Sequence, residues 1–139
     1  MGLVAAAAFT WLGMVLAISF LEAPLKFRAP GVTVPLGLGI GRLVFAALSR
    51  VELVLLLVVA GGLLLARTRP VLVLVAAALA AALLAVQLGL VRPALNRRSE
   101  RVLAGEDLPR SRAHLSYIAL EVAKVLALVL LGAAALTAA

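Results

Sequence analysis

The composition of this chain excludes a soluble fold. Of its 139 residues, 65% are hydrophobic and 14% are charged, against roughly 45–50% and 25% in an average soluble domain. Its mean hydropathy is +1.22, so a water-facing form would expose far more apolar surface than a soluble monomer tolerates. The net charge of +7 fits basic loops beside apolar helices, so we expect anionic lipid head groups as partners and no nucleic acid. Cysteine is absent, which excludes disulfides and thiolate chemistry.

Four apolar segments predict an all-α fold, an integral membrane four-helix bundle that forms a single transmembrane domain. The predicted spans cover about residues 3–21, 36–66, 71–91 and 113–136, and each is long enough to cross a bilayer. The segment 1–20 lacks a basic n-region, so we predict a retained helix and not a signal peptide. We expect Pro24 to end the first helix. The basic loop 92–112 is predicted to hold a short amphipathic helix through Arg101, ended by Gly105. No internal repeat is evident.

The distribution of Lys and Arg predicts the orientation of the bundle. The first and third loops carry eight of these residues and the second loop carries two. The eight are Lys26, Arg28, Arg92, Arg97, Arg98, Arg101, Arg110 and Arg112, and the two are Arg67 and Arg69. Because positive loops stay in the cytoplasm, we predict an antiparallel up-down bundle with both termini on the non-cytoplasmic side. We expect it in the bacterial inner (cytoplasmic) membrane.

Polar residues within the spans define a candidate ion- or substrate-binding site. A charge at mid-bilayer costs about 2.5 to 3.5 kcal/mol on insertion scales. Nevertheless, every span carries a polar group roughly 21 to 28 Å from its outer end, at about 1.5 Å per residue. We therefore predict one shared site in the inner half of the bilayer. The candidate residues are Glu22, Arg42, Glu52, Gln87, His114, Tyr117, Glu121 and Lys124.

The second and fourth spans each carry a polar stripe with the same spacing. Their residues step by three, four and three positions, which places each set on one helix face. The stripes are Arg42, Phe45, Ser49 and Glu52, and His114, Tyr117, Glu121 and Lys124. We expect the two stripes to face each other.

Two explanations of these charges stay open. They form interhelical ion pairs that fix helix register, with Arg50 among them, or they line a functional polar cavity. No metal site is predicted, because the chain has one histidine and lacks Glu-x-x-His spacing. The sequence identifies no cofactor. Enzyme motifs are also missing, and the glycines between Gly37 and Gly41 are typical of helix packing, so an enzyme is the less expected class.

The chain resembles a small four-helix membrane family of unknown function that includes transmembrane protein 205. The resemblance rests on Ser19-Phe-Leu-Glu-Ala-Pro-Leu-Lys-Phe27, on Gly41-Arg-Leu-Val-Phe45, on the arginines from Arg92 to Arg98 and on the start of the last helix, His114-Leu-Ser-Tyr-Ile-Ala-Leu-Glu-Val-Ala-Lys124. It covers essentially the whole chain. It implies a four-helix membrane bundle and no established reaction.

The leading hypothesis is a proton- or ion-coupled transporter or channel. In it, Glu22, Glu52 and Glu121, beside Arg42, Arg50 and Lys124, form a responsive site, because buried carboxylates suit proton coupling. Four helices are few for such a pathway, so we expect a homodimer. The alternative is a non-catalytic assembly subunit whose charges pair with each other or with partner helices, and a third is a lipid-modifying enzyme.

Overall fold

Four long helices make up the part of the chain that the structure describes. The structure is a computed structural model that describes residues 1–105 and 112–138. The helices are α1 (Gly2–Arg28), α2 (Val34–Leu65), α3 (Val71–Leu103) and α4 (Arg112–Thr137). Each contains a stretch long and apolar enough to cross a membrane, and no β-strand occurs among the described residues. The prediction of an all-α fold with four helices of membrane-spanning length is confirmed, which indicates a multi-pass membrane protein.

Two helices extend beyond the spans predicted for them. Helix α1 continues past Pro24 to Arg28, where the sequence predicts a loop. Helix α3 continues to Leu103, so the first part of the predicted basic loop 92–112 is helical and continuous with the third span. Arg110 in that loop lies outside the described residues.

A π-helical segment explains why α1 continues past its proline. Residues Leu16–Glu22 are π-helical and end two positions before Pro24. In a regular α-helix, the proline ring would clash with the carbonyl group four residues earlier. The wider π turn shifts the hydrogen-bond partner by one residue, and the Ala23 N–H accordingly bonds to the Ile18 carbonyl oxygen. The proline is therefore accommodated and the helix does not break there.

Helix α3 uses the same arrangement. Its π-helical segment, Gln87–Val91, ends two positions before Pro93. Each π segment also contains a polar residue that points into the bundle, Ser19 in α1 and Gln87 in α3. Because π turns are rare and frequent at functional sites, these two positions mark where α1 and α3 contribute polar groups to the bundle.

The helix ends carry local caps. The Thr33 side chain accepts a hydrogen bond from the Leu36 N–H at 3.3 Å and starts α2. Arg69 donates to the Leu63 carbonyl oxygen at 2.6 Å, which satisfies an unpaired carbonyl at the end of α2. Gly105 has a φ of +97°, which favours glycine, and it follows the end of α3.

The half of the bundle that contains the start of α1 has an apolar, alanine-rich core. Helix α1 packs against both α2 and α4, and α3 packs against α4. Helices α2 and α3 contact each other mainly through residues 92–103 of α3. Small residues permit the close approach that holds helices together in lipid. The fully buried core side chains are Val4, Ala8, Trp11, Val15, Val73, Ala76, Ala80, Leu128, Leu131 and Ala135.

We predict that Gly62→Ala destabilises the bundle by about 1 to 3 kcal/mol, the cost of overpacking. A Cβ at Gly62 would lie 2.8 Å from a methyl carbon of Val4, which is itself fully buried. Gly61→Ala is the matched control, because a Cβ there meets nothing within 4 Å. Unfolding of both variants in detergent micelles measures the difference. Equal stability of the two variants would contradict the close α1–α2 contact.

Candidate functional site

A cluster of polar side chains lies buried where the four helices meet. We call Trp11, Ser19, Glu52, Gln87, Glu121 and Lys124 the charge cluster. Helix α1 supplies the first two, α2 supplies Glu52, α3 supplies Gln87, and α4 supplies the last two. Apart from Ser19, which is partly exposed, each is at most 2% exposed. Polar groups this deeply buried require hydrogen-bond partners from within the protein.

The Lys124 ammonium group lies at the centre of the cluster. Its Nζ is 2.6 Å from Glu52 Oε2 and 2.6 Å from Glu121 Oε1. It also donates a hydrogen bond to Gln87 Oε1 at 2.7 Å. An ammonium group has three N–H donors, so these three acceptors satisfy it completely.

The two carboxylates accept further hydrogen bonds from α1 and α3. Trp11 Nε1 donates to Glu52 Oε2 at 2.7 Å, and the Ser19 hydroxyl donates to Glu121 Oε2 at 2.6 Å. Gln87 Nε2 donates to Glu121 Oε1 at 3.2 Å. The cluster therefore links all four helices through one continuous network.

A cavity of about 520 Å³ lies next to the charge cluster. The end of α1, the start of α2, the residue 92–103 part of α3 and the start of α4 line it, and we call it the basic-end cavity. Glu121 and Ser19 of the charge cluster lie in its wall. Its basic lining residues are Lys26, Arg42, Arg92, Arg98 and His114.

Arg92 contacts two aromatic rings in this cavity. Its guanidinium carbon is 4.8 Å from the ring centre of Phe45 and 5.0 Å from that of Tyr117, so it makes cation–π contacts with both rings. The two rings meet edge to face at 5.7 Å. Arg92 Nη2 donates to the Tyr117 hydroxyl at 3.1 Å, while its Nε is buried and has no hydrogen-bond partner in the described structure.

Two glycines of α2 make room for the end of α1. A Cβ at Gly37 would clash with the Phe27 ring, and one at Gly41 would lie 3.1 Å from Lys26 Nζ. The sequence interpretation of these glycines as packing residues agrees with these contacts. Lys26 therefore lies along α2, with its Nζ 5.7 Å from the ring centre of Phe45.

Some predicted site residues lie outside the charge cluster. Arg42 is in the cavity wall and forms an ion pair with Glu100 at 3.1 Å. Glu22 is 3.7 Å from Lys26 Nζ, and its buried Oε2 lacks a hydrogen-bond partner in the described structure. The interpretation of Arg50 as a partner of the buried carboxylates is wrong. Arg50 is exposed, because residues two apart on a helix point in different directions and Glu52 faces inward.

The polar stripes of α2 and α4 meet at two of their four positions. The second stripe residues, Phe45 and Tyr117, contact each other through their rings, and the fourth, Glu52 and Lys124, form an ion pair. The first residues of both stripes, Arg42 and His114, line the cavity.

Sequence reasoning overlooked Trp11 and Arg92. Trp11 is the chain's one tryptophan and lies inside a span, away from the interfaces that this residue prefers. A buried indole N–H needs an acceptor, and this was the available signal. Arg92 was assigned to a loop because the π segment before it, which keeps α3 helical, has no recognisable sequence pattern.

The described residues contain no group of three or more His, Asp or Glu side chains that could hold a metal ion. No protein-family model, no curated protein and no solved structure matches this chain.

We predict that Lys124→Met destabilises the protein by about 3 to 5 kcal/mol, because two buried carboxylates then lose their common cation. Adding Glu52→Gln and Glu121→Gln to this variant should recover part of the loss, since no buried charge then remains in the cluster. Chemical unfolding in micelles, followed by Trp11 fluorescence, compares the single and triple variants. A triple variant less stable than Lys124→Met would contradict the charge balance described here.

Proposed function

We propose that this protein is a proton- or ion-coupled transporter in which the basic-end cavity binds the transported solute and the charge cluster responds to it. One observation carries the proposal: Glu121 belongs to both. Its Oε1 lies 2.6 Å from Lys124 Nζ inside the cluster, and its side chain also forms part of the cavity wall. A charged ligand in the cavity would therefore act directly on one member of the buried network.

The charge balance of the cluster supports proton exchange. It holds two carboxyl groups, Glu52 and Glu121, and one ammonium group, Lys124. With both carboxylates ionised, two negative charges face one positive charge and the cluster has a total charge of −1. One added proton brings this total to zero. In a medium of low dielectric constant, a net charge is costly. A ligand that changes the field at Glu121 would thus favour uptake or release of one proton.

The orientation proposed for the bundle follows from its basic residues. We place the basic-end cavity on the cytoplasmic side, since the loops at that end carry most of the Lys and Arg residues. The helices then run antiparallel and both termini lie on the non-cytoplasmic side. The bacterial inner membrane is the proposed location, with anionic lipid head groups at the basic surface of α3.

We further propose that the protein works as a homodimer. In the half of the bundle away from the basic end, α2 packs against α1 but not extensively against α3. Large apolar side chains of both helices stay exposed there, including Leu57 at 71% and Leu64 at 74%. The helices of two copies together would line a pathway across the membrane with more side chains than the four helices of one copy do. The resemblance to the family of transmembrane protein 205 supports the bundle and adds no reaction.

A non-catalytic assembly subunit is the second candidate. It is favoured by the complete pairing of Lys124, whose three donors all have acceptors within the chain. A network that holds register needs no exchange with water. In that case, neutralising Glu121 would lower stability and change no flux.

We predict that proteoliposomes of the wild-type protein conduct protons along a pH gradient. Glu121→Gln should reduce this flux to about one tenth or less, because it removes one proton-transfer group. Glu52→Gln should reduce it as well. Arg50→Gln is the control, because Arg50 is exposed on α2 and lies outside the charge cluster and the cavity wall. Transport fails as an explanation if wild type and Glu121→Gln show the same flux as protein-free vesicles.

The orientation has its own test, because the chain lacks cysteine. In intact cells, a membrane-impermeant maleimide should label Thr68→Cys, in the loop between α2 and α3, and should not label Ala29→Cys, in the loop between α1 and α2. After permeabilisation, both should be labelled. The opposite pattern would invert the proposed topology.

A further inference from the structure

We propose that the basic-end cavity binds an anionic amphiphile, a molecule with a phosphate or carboxylate head group and an apolar chain, and that Arg92 binds the head group. The role of this ligand as the transported solute rests on the proposed transport function. The binding itself stands on the geometry of the cavity.

Arg92 lines this cavity as a cation without an acidic partner in the described structure. Lys26, another cation of the wall, lies near Glu22, and Arg42 is paired with Glu100. Glu121 is the one carboxylate among the described residues of the wall, and it bonds to Lys124 inside the cluster. Among the described residues, no carboxylate forms an ion pair with Arg92. Its charge is therefore available for an incoming anion.

The Arg92 side chain is also positioned for an oxyanion. Cation–π contacts with the rings of Phe45 and Tyr117, which meet each other edge to face, hold its guanidinium group in the cavity wall. Its buried Nε has an N–H without a hydrogen-bond partner, and leaving such a donor unpaired is costly. A carboxylate or phosphate is the planar or multidentate acceptor that guanidinium groups bind best. An oxyanion bound beside Arg92 would match the charge and the N–H donors of its guanidinium group.

The other side of the cavity is apolar. Phe20, Phe27 and Ile118 line it and are also exposed at the protein surface, at 40%, 39% and 42%. Phe20 and Phe27 both belong to the end of α1 that lines the cavity. A small hydrophilic anion would leave these side chains uncovered, whereas an acyl chain would cover them. The volume of about 520 Å³ falls within the range of roughly 300–1,000 Å³ typical of ligand pockets.

The test is equilibrium binding of radiolabelled amphiphiles to the purified full-length protein in an uncharged detergent. The probes are oleate and oleoyl lysophosphatidic acid, with monoolein as the uncharged amphiphile and inorganic phosphate as the head group alone. The variant is Arg92→Gln, and the matched control is Arg97→Gln, since Arg97 is exposed on the same helix and outside the cavity wall.

We expect both anionic amphiphiles to bind wild type and Arg97→Gln equally, and to bind Arg92→Gln about 10- to 100-fold more weakly, the effect of one charged hydrogen-bonding group. Arg92→Lys keeps the charge but loses Nε, and it should lie between the two. Monoolein and phosphate should bind at least about tenfold more weakly than oleate. Tighter binding of lysophosphatidic acid would identify a membrane lipid as the source, and tighter binding of oleate a free fatty acid; both support the inference.

Equal binding to Arg92→Gln and Arg97→Gln would overturn the inference, as would monoolein or phosphate binding as tightly as oleate. The proposed transport is tested separately. Amphiphile binding without proton flux would support this binding site and contradict the proposed transport. Glu121-dependent flux without amphiphile binding would contradict this binding site and support the proposed transport.

Discussion

The buried Lys124 ammonium group is the constraint on which the rest of the bundle depends. It has no exposure to solvent, so its charge and its three donors must be satisfied inside the protein. Satisfying it takes one side chain each from α2, α3 and α4, and those side chains are in turn bonded by Trp11 and Ser19 of α1. Apolar packing in lipid has little directional preference, so this network is what specifies how the four helices are placed.

The π segments of α1 and α3 are part of the same arrangement. Each one allows its helix to pass a proline. Each also contains a polar group that donates a hydrogen bond to Glu121: the Ser19 hydroxyl in α1 and the Gln87 amide in α3. Helix α3 then continues to Arg92, which contacts the rings of Phe45 and Tyr117. The charge cluster and the basic-end cavity are therefore consecutive layers along the bundle, joined at Glu121, with the apolar core on the other side of the cluster.

Much of this architecture could be predicted from the sequence, because membrane spans follow from hydropathy and length. The charged residues that share one depth could be predicted as well, since the rise per residue places Glu52, Gln87, Glu121 and Lys124 at similar levels. The division of the candidate residues into two sites could not. It depends on which face of each helix turns inward, and the π segments change that direction without a composition signal. Arg50 and Glu52 illustrate the problem, because these two charged residues are only two positions apart and yet Arg50 is exposed and Glu52 is buried.

The central claim is that Glu121 connects the cavity to the buried network, and the fluorescence of Trp11 tests it most directly. This single tryptophan lies at the far end of the network and bonds to Glu52, outside the cavity wall. We predict that saturating the cavity with oleate shifts the Trp11 emission in wild type, and that Glu121→Gln still binds oleate but shows no shift. A Trp11 spectrum unchanged by bound oleate in wild type, or an equal shift in Glu121→Gln, would contradict the account.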